Sequence, residues 1–399
     1  SLAGWMSRLP LVVGGGVALA LGAAGAVVAW NSLLSTLARQ RLRKGVKIVD
    51  TGEGARIAVY EAGEGKQTVV LDAGLGMTAL SWSWVLDEVA KHCRVIAFDR
   101  PGLGASPPQT GKGWLRRVDT IVETNRRMLK ALGVTGPVIL VGHSTSGMHA
   151  RLHAHLYPKE VSGIVLVDTV HEGQLGKLEG SSVYNSYPDA KVTEAKLARV
   201  RTLWGTGLLR IMYLASGPTF WNACRFFPPL ALVLRVLDYL GRPAAMGVIQ
   251  NERIIGPHLP RAARARFHDE QFSLEGMLTM IAEHGSQRVS MEYMNSLNIM
   301  AENKLGKLPL TVVSRDPARG AGGGLYPNAR GDPTREAQHE AFQKDQERLS
   351  SNSQRVVVEG AGHGSLLFVK EHATRTAEEI IETAKLVKKG SKIMSSAMC

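Results

Sequence analysis

The chain has 399 residues, of which 44% are hydrophobic, enough for one large globular domain with an insertion or for two domains. Its three cysteines, Cys93, Cys224 and Cys399, are too few and too far apart to indicate a disulfide framework or a metal cluster. The formal net charge is +13, but ten of the basic residues lie in segments 1–49 and 385–399, which contain no acidic residue. The chain between these segments has 38 basic and 35 acidic residues and is nearly neutral. This distribution argues against nucleic-acid binding, and the basic ends suit anionic lipid.

A long apolar segment lies near the N-terminus. The 22 residues 9–30 carry no charge and are almost wholly apolar, which is long enough for a helix to cross a bilayer. We predict a single-pass transmembrane helix over 9–30 and a basic linker over 31–45, whose charge puts the globular part on the cytosolic or matrix side of a membrane such as the mitochondrial inner membrane or the endoplasmic reticulum. Small residues that would let another helix approach recur every four positions: Gly14, Ala18, Gly22 and Ala26.

Two buried strands are predicted in the first part of the globular region. The apolar run Thr68–Leu71 predicts a strand, and the loop Asp72–Thr78 after it is rich in glycine, which allows close approach to its backbone. Arg94–Phe98 predicts the next strand. Asp99 and Arg100 follow it, and we expect them to make structural contacts rather than carry chemistry.

The segment 138–156 predicts a strand, a sharp turn and a helix. The apolar run Val138–Val141 ends at Gly142, and a helical pattern of apolar residues begins after Ser146. Ser144 lies at the apex, with a small residue two positions away on each side, as in a nucleophile elbow. Small neighbours are needed because the elbow strains the backbone and lifts the serine hydroxyl out of the sheet. The pattern predicts that Ser144 is a nucleophile, with Ser146 standing where a glycine is usual.

A long insertion follows the next predicted strand, Val161–Val167, which ends in Asp168. The core pattern then stops over 170–304, where the sequence is mostly helical and rich in apolar residues, and it resumes with the strand Leu308–Val313. Bulky apolar side chains are concentrated at 211–237. They favour either a helical lid that packs on itself, or an acyl-binding tunnel or membrane-facing lid.

The C-terminal part contains a second acidic candidate and a histidine. A loop rich in glycine and proline covers 315–333 and includes Asp316. The last predicted strand, Arg355–Val358, leads into a glycine-rich loop that carries His363, the expected general base. Residues 385–399 are predicted to form a basic tail.

In order and spacing these motifs resemble those of α/β-hydrolases of the serine esterase and lipase type, over about 66–383. The matching stretches are LDAGLG (71–76), VIAFDRPGLGAS (95–106), GHSTSG (142–147), GIVLVD (163–168) and GAGHGS (360–365). The resemblance implies an α/β fold with a mostly parallel central sheet flanked by helices. Residues 46–169 and 305–384 would form its core and 170–304 a helical cap.

The resemblance also implies site roles. Ser144 would attack a carbonyl group, and His363 would take and return the proton. The oxyanion would be held by the backbone amides of Leu75 and Thr145.

The acidic member of the triad is left open between two residues. Most of the family places the acid after the strand at 308–313, which nominates Asp316. Some members place it after the strand that follows the nucleophile helix, where Asp168 lies. We favour Asp168 because the end of a strand fixes a side chain better than a glycine-rich loop does.

The sequence therefore predicts a membrane-anchored serine hydrolase that cleaves an ester, thioester or amide of an apolar acyl substrate without a metal or redox cofactor. Its expected partners are that substrate, membrane lipid and, through the small-residue stripe, another transmembrane helix. The alternative is a catalytically weak or inactive accessory subunit of a membrane protein complex. That alternative is motivated by the stripe, the basic ends, Ser146 and the early position of Asp316.

Overall fold

The computed structural model describes residues 9–111, 113–174, 188–207, 254–271, 273–326 and 328–390. An eight-stranded sheet lies at the centre of this part of the chain. Its strands are β1 (Lys47–Asp50), β2 (Arg56–Ala62), β3 (Thr68–Asp72), β4 (Arg94–Asp99), β5 (Val138–His143), β6 (Val161–Val167), β7 (Leu310–Arg315) and β8 (Ser353–Val358). They lie side by side in the order β1-β2-β4-β3-β5-β6-β7-β8.

The sheet is mostly parallel. Strand β2 runs antiparallel to β1 and to β4, whereas the pairs from β4 through β3, β5, β6 and β7 to β8 are parallel. Central parallel strands are covered on both faces, which is why they read as nearly continuous apolar runs. Side chains alternate between two cores: Val69, Leu71, Ile139, Val141 and Val165 lie in one, and Val70, Ile96, Leu140, Ile164 and Val312 in the other. The predicted α/β fold is confirmed.

The described helices flank the sheet, lie in the insertion or, in the case of α1, precede the sheet in the chain. They are α1 (Leu9–Arg43), α2 (Ser83–Val89), α3 (Val118–Ala131), α4 (Ser146–Leu156), α5 (Ala190–Gly205), α6 (Arg261–Gln271), α7 (Leu274–Gly285), α8 (Gln287–Ser296), α9 (Pro333–Glu347), α10 (Ser365–Phe368) and α11 (Lys370–Lys389). We call α5–α8 the cap helices, because they lie between β6 and β7 in the insertion predicted over 170–304. The apolar segment 211–237 of that insertion lies outside the described residues.

Helix α1 continues through the predicted linker and rests on the cap helices. The side-chain amide of Asn31 donates to the Trp204 carbonyl oxygen at 2.8 Å. The Arg41 guanidinium contacts both carboxylate oxygens of Asp269, at 2.5 and 2.8 Å. Residues 31–43 therefore belong to a helix that contacts the cap through Asn31 and Arg41.

Within the described part of the chain, no helix combines the length and the apolar character needed to cross a membrane. The backbone of 9–30 is described as the first part of α1, but the side chains of 9–21, 23 and 24 lie outside the description. The predicted span, with Gly14 and Ala18 of its small-residue stripe, therefore falls largely outside it. Of the predicted tail, 391–399 also lie outside the described residues.

Candidate active site

A sharp turn between β5 and α4 presents Ser144. Its φ is +56°, the strained left-handed conformation expected of an elbow. A Cβ atom at Gly142 would lie 2.6 Å from the Ser146 carbonyl oxygen, so only glycine fits there. Ser146 is fully buried, and its hydroxyl lies 2.7 Å from the Asp72 carbonyl oxygen and 2.8 Å from that of His143. A serine is therefore accommodated where the usual pattern has glycine, because its hydroxyl has backbone acceptors.

The loop after β8 brings His363 to Ser144. The Oγ atom of Ser144 lies 3.1 Å from Nε2 of His363. The other ring nitrogen, Nδ1, lies 2.6 Å from Oδ2 of Asp168, at the end of β6. The His363 backbone N–H also donates to the Ala321 carbonyl oxygen at 3.0 Å, which fixes the loop. The three side chains thus form a connected serine, histidine and carboxylate series.

A second histidine packs against this series. The ring of His143 lies 4.6 Å from that of His363, measured between centroids. Burial lowers the pKa of His143 to about 3. A neutral ring therefore donates from Nε2 to the His363 carbonyl oxygen, 3.0 Å away, without adding positive charge beside the predicted general base.

The glycine-rich loop after β3 lies against Ser144. A Cβ atom at Gly74 would lie 3.1 Å from the Ser144 Cβ and 3.0 Å from Nδ1 of His143. The absence of a side chain at Gly74 is what lets the loop approach so closely. Leu75 follows directly in this loop, and Thr145 directly follows Ser144. The structure thus brings both predicted oxyanion segments close to Ser144.

The family model described as the alpha/beta hydrolase family matches residues 69–379. The chain belongs to the alpha/beta hydrolase family.

Solved structures and a curated relative resemble this alpha/beta hydrolase. A thermophilic esterase from Thermogutta terrifontis is 19% identical over 86% of this chain and 98% of the esterase, with a TM-score of 0.51. A putative lipase from Acinetobacter baumannii is 17% identical over 90% of this chain and 97% of the lipase, with a TM-score of 0.50. At such identities the likeness shows the fold alone. The uncharacterized protein YbdG of Bacillus subtilis is 33% identical over 129 residues, and this chain spans 39% of its length.

The carboxylate of Asp168 is held from several sides. Its Oδ1 lies 2.7 Å from Nε2 of His339 and accepts from the Arg315 backbone N–H at 3.2 Å, and its Oδ2 accepts from the Arg315 side chain at 2.9 Å. Burial alone would raise the pKa of Asp168, but His339 and Arg315 outweigh burial and hold this pKa well below its ordinary value. Asp168 is therefore ionised at neutral pH. Arg315 is itself anchored by both carboxylate oxygens of Glu336, at 3.0 and 3.1 Å.

Asp316 has a different place. Its carboxylate accepts from the backbone N–H groups of Ala318 and Gly360, each at 2.9 Å. Its own N–H donates to the Ala361 carbonyl oxygen at 3.0 Å. The side chain therefore ties the loop after β7 to the loop that carries His363. Of the two candidate acids, the structure brings Asp168 to the histidine.

Asp99 lies at the end of β4. Asp99 accepts from the backbone N–H groups of Ala79 and Ala105, at 2.8 and 2.9 Å, which is the structural role expected of it. Sequence reasoning missed His339, and no pattern in the sequence distinguishes that histidine from other helical ones. Among the described residues, no group of three or more histidine, cysteine, aspartate or glutamate side chains is arranged to hold a metal ion.

Proposed function

We propose that this alpha/beta hydrolase is a serine hydrolase that cleaves an ester, thioester or amide through attack by Ser144. The observation that supports the proposal best is the series of contacts from Ser144 Oγ to His363 Nε2 at 3.1 Å and from His363 Nδ1 to Asp168 at 2.6 Å. Both distances fall in the range through which a general base acts. Because Asp168 contacts His363, the early position of Asp316 is no longer an argument for the accessory-subunit alternative.

The mechanism follows from this order of side chains. His363 takes the proton of Ser144 as the oxygen bonds to the substrate carbonyl carbon, and returns it to the leaving group when the tetrahedral intermediate collapses. Asp168 accepts from Nδ1–H, which keeps Nε2 free to take the proton and stabilises the imidazolium. Water then attacks the acyl enzyme with His363 again as base, and Ser144 is regenerated.

We assign the stabilisation of the oxyanion to two backbone amides, those of Thr145 and Leu75. Thr145 stands at the start of α4, where the first N–H groups of a helix point away from its body. Leu75 follows Gly74, whose backbone comes close to Ser144. Donors in place before reaction stabilise the charge that develops on the carbonyl oxygen.

We propose that the substrate carries an apolar acyl group. Met280, on cap helix α7, lies against Gly76 and is 42% exposed. Met77 packs with Leu259 and Phe267 of the cap, in an apolar cluster that also includes Phe368. These apolar side chains in and against the loop Asp72–Thr78, which we call the oxyanion loop, favour burial of a hydrocarbon chain next to the reacting carbonyl.

We also propose that residues 9–30 anchor the enzyme in a membrane, on the strength of their length and lack of charge. Because Asn31 and Arg41 hold α1 to the cap, a deletion should stop at Trp30. The shortened protein should leave the membrane fraction, and only salt-sensitive binding should remain. Retention of the shortened protein in membranes at high salt would contradict this proposal.

A fluorophosphonate probe tests the hydrolase proposal, because it reacts with an activated serine. We expect labelling and ester hydrolysis by the wild type and by Ser296→Ala, which changes an exposed serine on α8. Ser144→Ala should lose both, at a cost on the order of 10⁴ to 10⁶ in rate. A wild-type protein that neither labels nor hydrolyses would favour the accessory-subunit alternative.

A further inference from the structure

A buried ion pair joins the cap to the core beside the oxyanion loop. Arg100 follows β4, Glu283 lies on cap helix α7, and both are buried. Nε and Nη2 of Arg100 donate to the two carboxylate oxygens of Glu283, at 2.7 and 2.9 Å. This two-point geometry fixes the orientation of both side chains as well as their distance.

Both members of the pair also bind the backbone of the loop. Arg100 donates from Nη1 to the Ala73 carbonyl oxygen at 2.6 Å and from Nη2 to that of Gly74 at 2.7 Å. The Gly76 N–H donates to Glu283 at 2.8 Å. Consecutive peptide groups on either side of Leu75 are thus held by one arginine from the core and one glutamate from the cap.

The peptide geometry links these contacts to the predicted oxyanion donor. The Gly74 carbonyl and the Leu75 N–H belong to the same peptide group. No described residue follows a cis peptide bond, and in a planar trans peptide the carbonyl and the N–H point in opposite directions. When Arg100 holds the Gly74 oxygen, it therefore also sets the direction of the Leu75 N–H.

Every N–H group of the Arg100 guanidinium already has an acceptor. Its fifth contact runs from Nη1 to a carboxylate oxygen of Asp72, at 2.7 Å, so all five N–H groups are used. Burial would lower the pKa of Arg100, but the carboxylates of Glu283 and Asp72 outweigh burial and raise it above its ordinary value. Arg100 therefore stays positively charged while it holds the loop.

A second cap carboxylate reaches the far end of the loop. The hydroxyl of Thr78 donates to Glu270, on cap helix α6, at 2.7 Å. Glu270 is also held by Arg266 of the same helix, at 3.2 Å. The cap therefore forms hydrogen bonds with the loop at Gly76 and at Thr78, in the part of the loop that is farther from β3.

We propose that Arg100 and Glu283 are positioning residues that aim the Leu75 amide at the oxyanion, so that turnover depends on how cap helix α7 sits on the core. This inference rests on the proposed serine hydrolase function. Neither residue needs to touch the substrate, since each acts through the backbone of the loop. A buried ion pair that only stabilised the fold would affect thermal stability and leave the turnover of the folded enzyme unchanged.

The test compares two glutamates of the same helix. Glu283→Gln keeps the shape and an acceptor but removes the charge that holds Arg100. Glu275→Gln is the matched control, because Glu275 pairs with Arg39 of α1, at 2.6 Å. The measurements on the full chain are kcat and KM for a p-nitrophenyl ester, the rate of fluorophosphonate labelling, and Tm.

Glu283→Gln should lower kcat and the labelling rate together by about 10- to 100-fold, less than the loss of a whole oxyanion donor. KM should stay within about twofold, because the donor acts mainly in the transition state. Glu275→Gln should stay near wild type in both. A Glu283→Gln enzyme with wild-type kcat, or a loss equal to that of Glu275→Gln, would overturn the inference.

Amide hydrogen exchange covers the case in which Glu283→Gln folds poorly. Glu283→Asp keeps the charge but shortens the reach toward Gly76, so peptide 73–78 should exchange faster than in wild type while peptide 138–143 in β5 does not change. Unchanged exchange over 73–78 would overturn the inference. If the wild type does not label, the proposed function fails, and the exchange result alone decides whether Glu283 positions the loop.

Discussion

Asp168→Asn should nearly silence the enzyme while leaving its shape in place. The native carboxylate faces only donors: His363, His339 and two groups of Arg315. An asparagine side chain has one acceptor oxygen and one NH₂ donor group. Because all of its neighbours donate, its NH₂ group must face another donor. If the NH₂ faces His363, the ring takes the tautomer with hydrogen on Nε2, and that nitrogen cannot accept the Ser144 proton.

The expected loss in kcat is on the order of 10⁴, the cost of the wrong tautomer in such a triad. Stability should fall as well, because one member of a buried ion pair is removed; a cost of about 3 to 5 kcal/mol applies to such a change. The two effects separate if turnover is measured on protein shown to be folded by circular dichroism. Since the pKa of Asp168 is lowered on folding, its contribution is present above the ordinary pKa of about 3.9 and is lost as pH falls below it. The difference in unfolding free energy between wild type and Asp168→Asn should therefore shrink in acid.

Asp316→Asn is the matched control, because it changes the other candidate acid by the same atoms. Its carboxylate holds two loop amides, so we expect a stability loss of about 1 kcal/mol and turnover within a few-fold of wild type. If Asp168→Asn kept more than a tenth of wild-type turnover, or if Asp316→Asn were the more damaged enzyme, the assignment of the acid would be refuted.

Two further changes probe the oxyanion loop. Gly74→Ala should lower kcat about tenfold or more with little loss of fold, because its Cβ would press on the Ser144 Cβ at 3.1 Å and move the loop; unchanged kcat would contradict the close approach. Burial and the neighbouring Asp99 carboxylate raise the pKa of Glu270 above its ordinary value, so the stability of wild type relative to Glu270→Gln should fall as the pH of a urea titration rises from 5 to 8. A parallel pH dependence in the two proteins would contradict that prediction.

The core of the fold could be predicted because its signals are local. The apolar run Val138–Val141 predicts a strand, and the structure extends it to His143 as β5. Buried parallel strands are apolar throughout, and the elbow after β5 depends on small residues at fixed spacing. Strand β8 begins at Ser353, before the predicted Arg355, because an edge strand is only partly buried and tolerates polar residues.

The network around the site could not be predicted, because its partners are distant in sequence. His339 is 171 residues from Asp168, and Glu283 is 183 residues from Arg100. A single histidine or glutamate on an amphipathic helix reads as a surface residue until the fold brings it to a buried partner. The same holds for Asp316, whose role in tying two loops together depends on Gly360.

The continuation of helix α1 through residues 31–43 could not be predicted from the sequence either. Basic residues after an apolar segment suggested a linker near lipid headgroups, and the cap carboxylates that pair with Arg39 and Arg41 lie more than 200 residues away. Those ion pairs are partly exposed, so each contributes up to about 1 kcal/mol. The burial of Ala38 and Leu42 accounts better for the docking of α1.

The proposed function depends on Ser144 being an activated nucleophile. The most direct measurement is peptide mapping by mass spectrometry after the full-length wild-type protein has reacted with a fluorophosphonate. We expect a single phosphonyl adduct on Ser144, which is absent when the protein is unfolded before reaction, because the activation depends on His363 at 3.1 Å. An adduct on another residue, or no adduct on the folded protein, would contradict it.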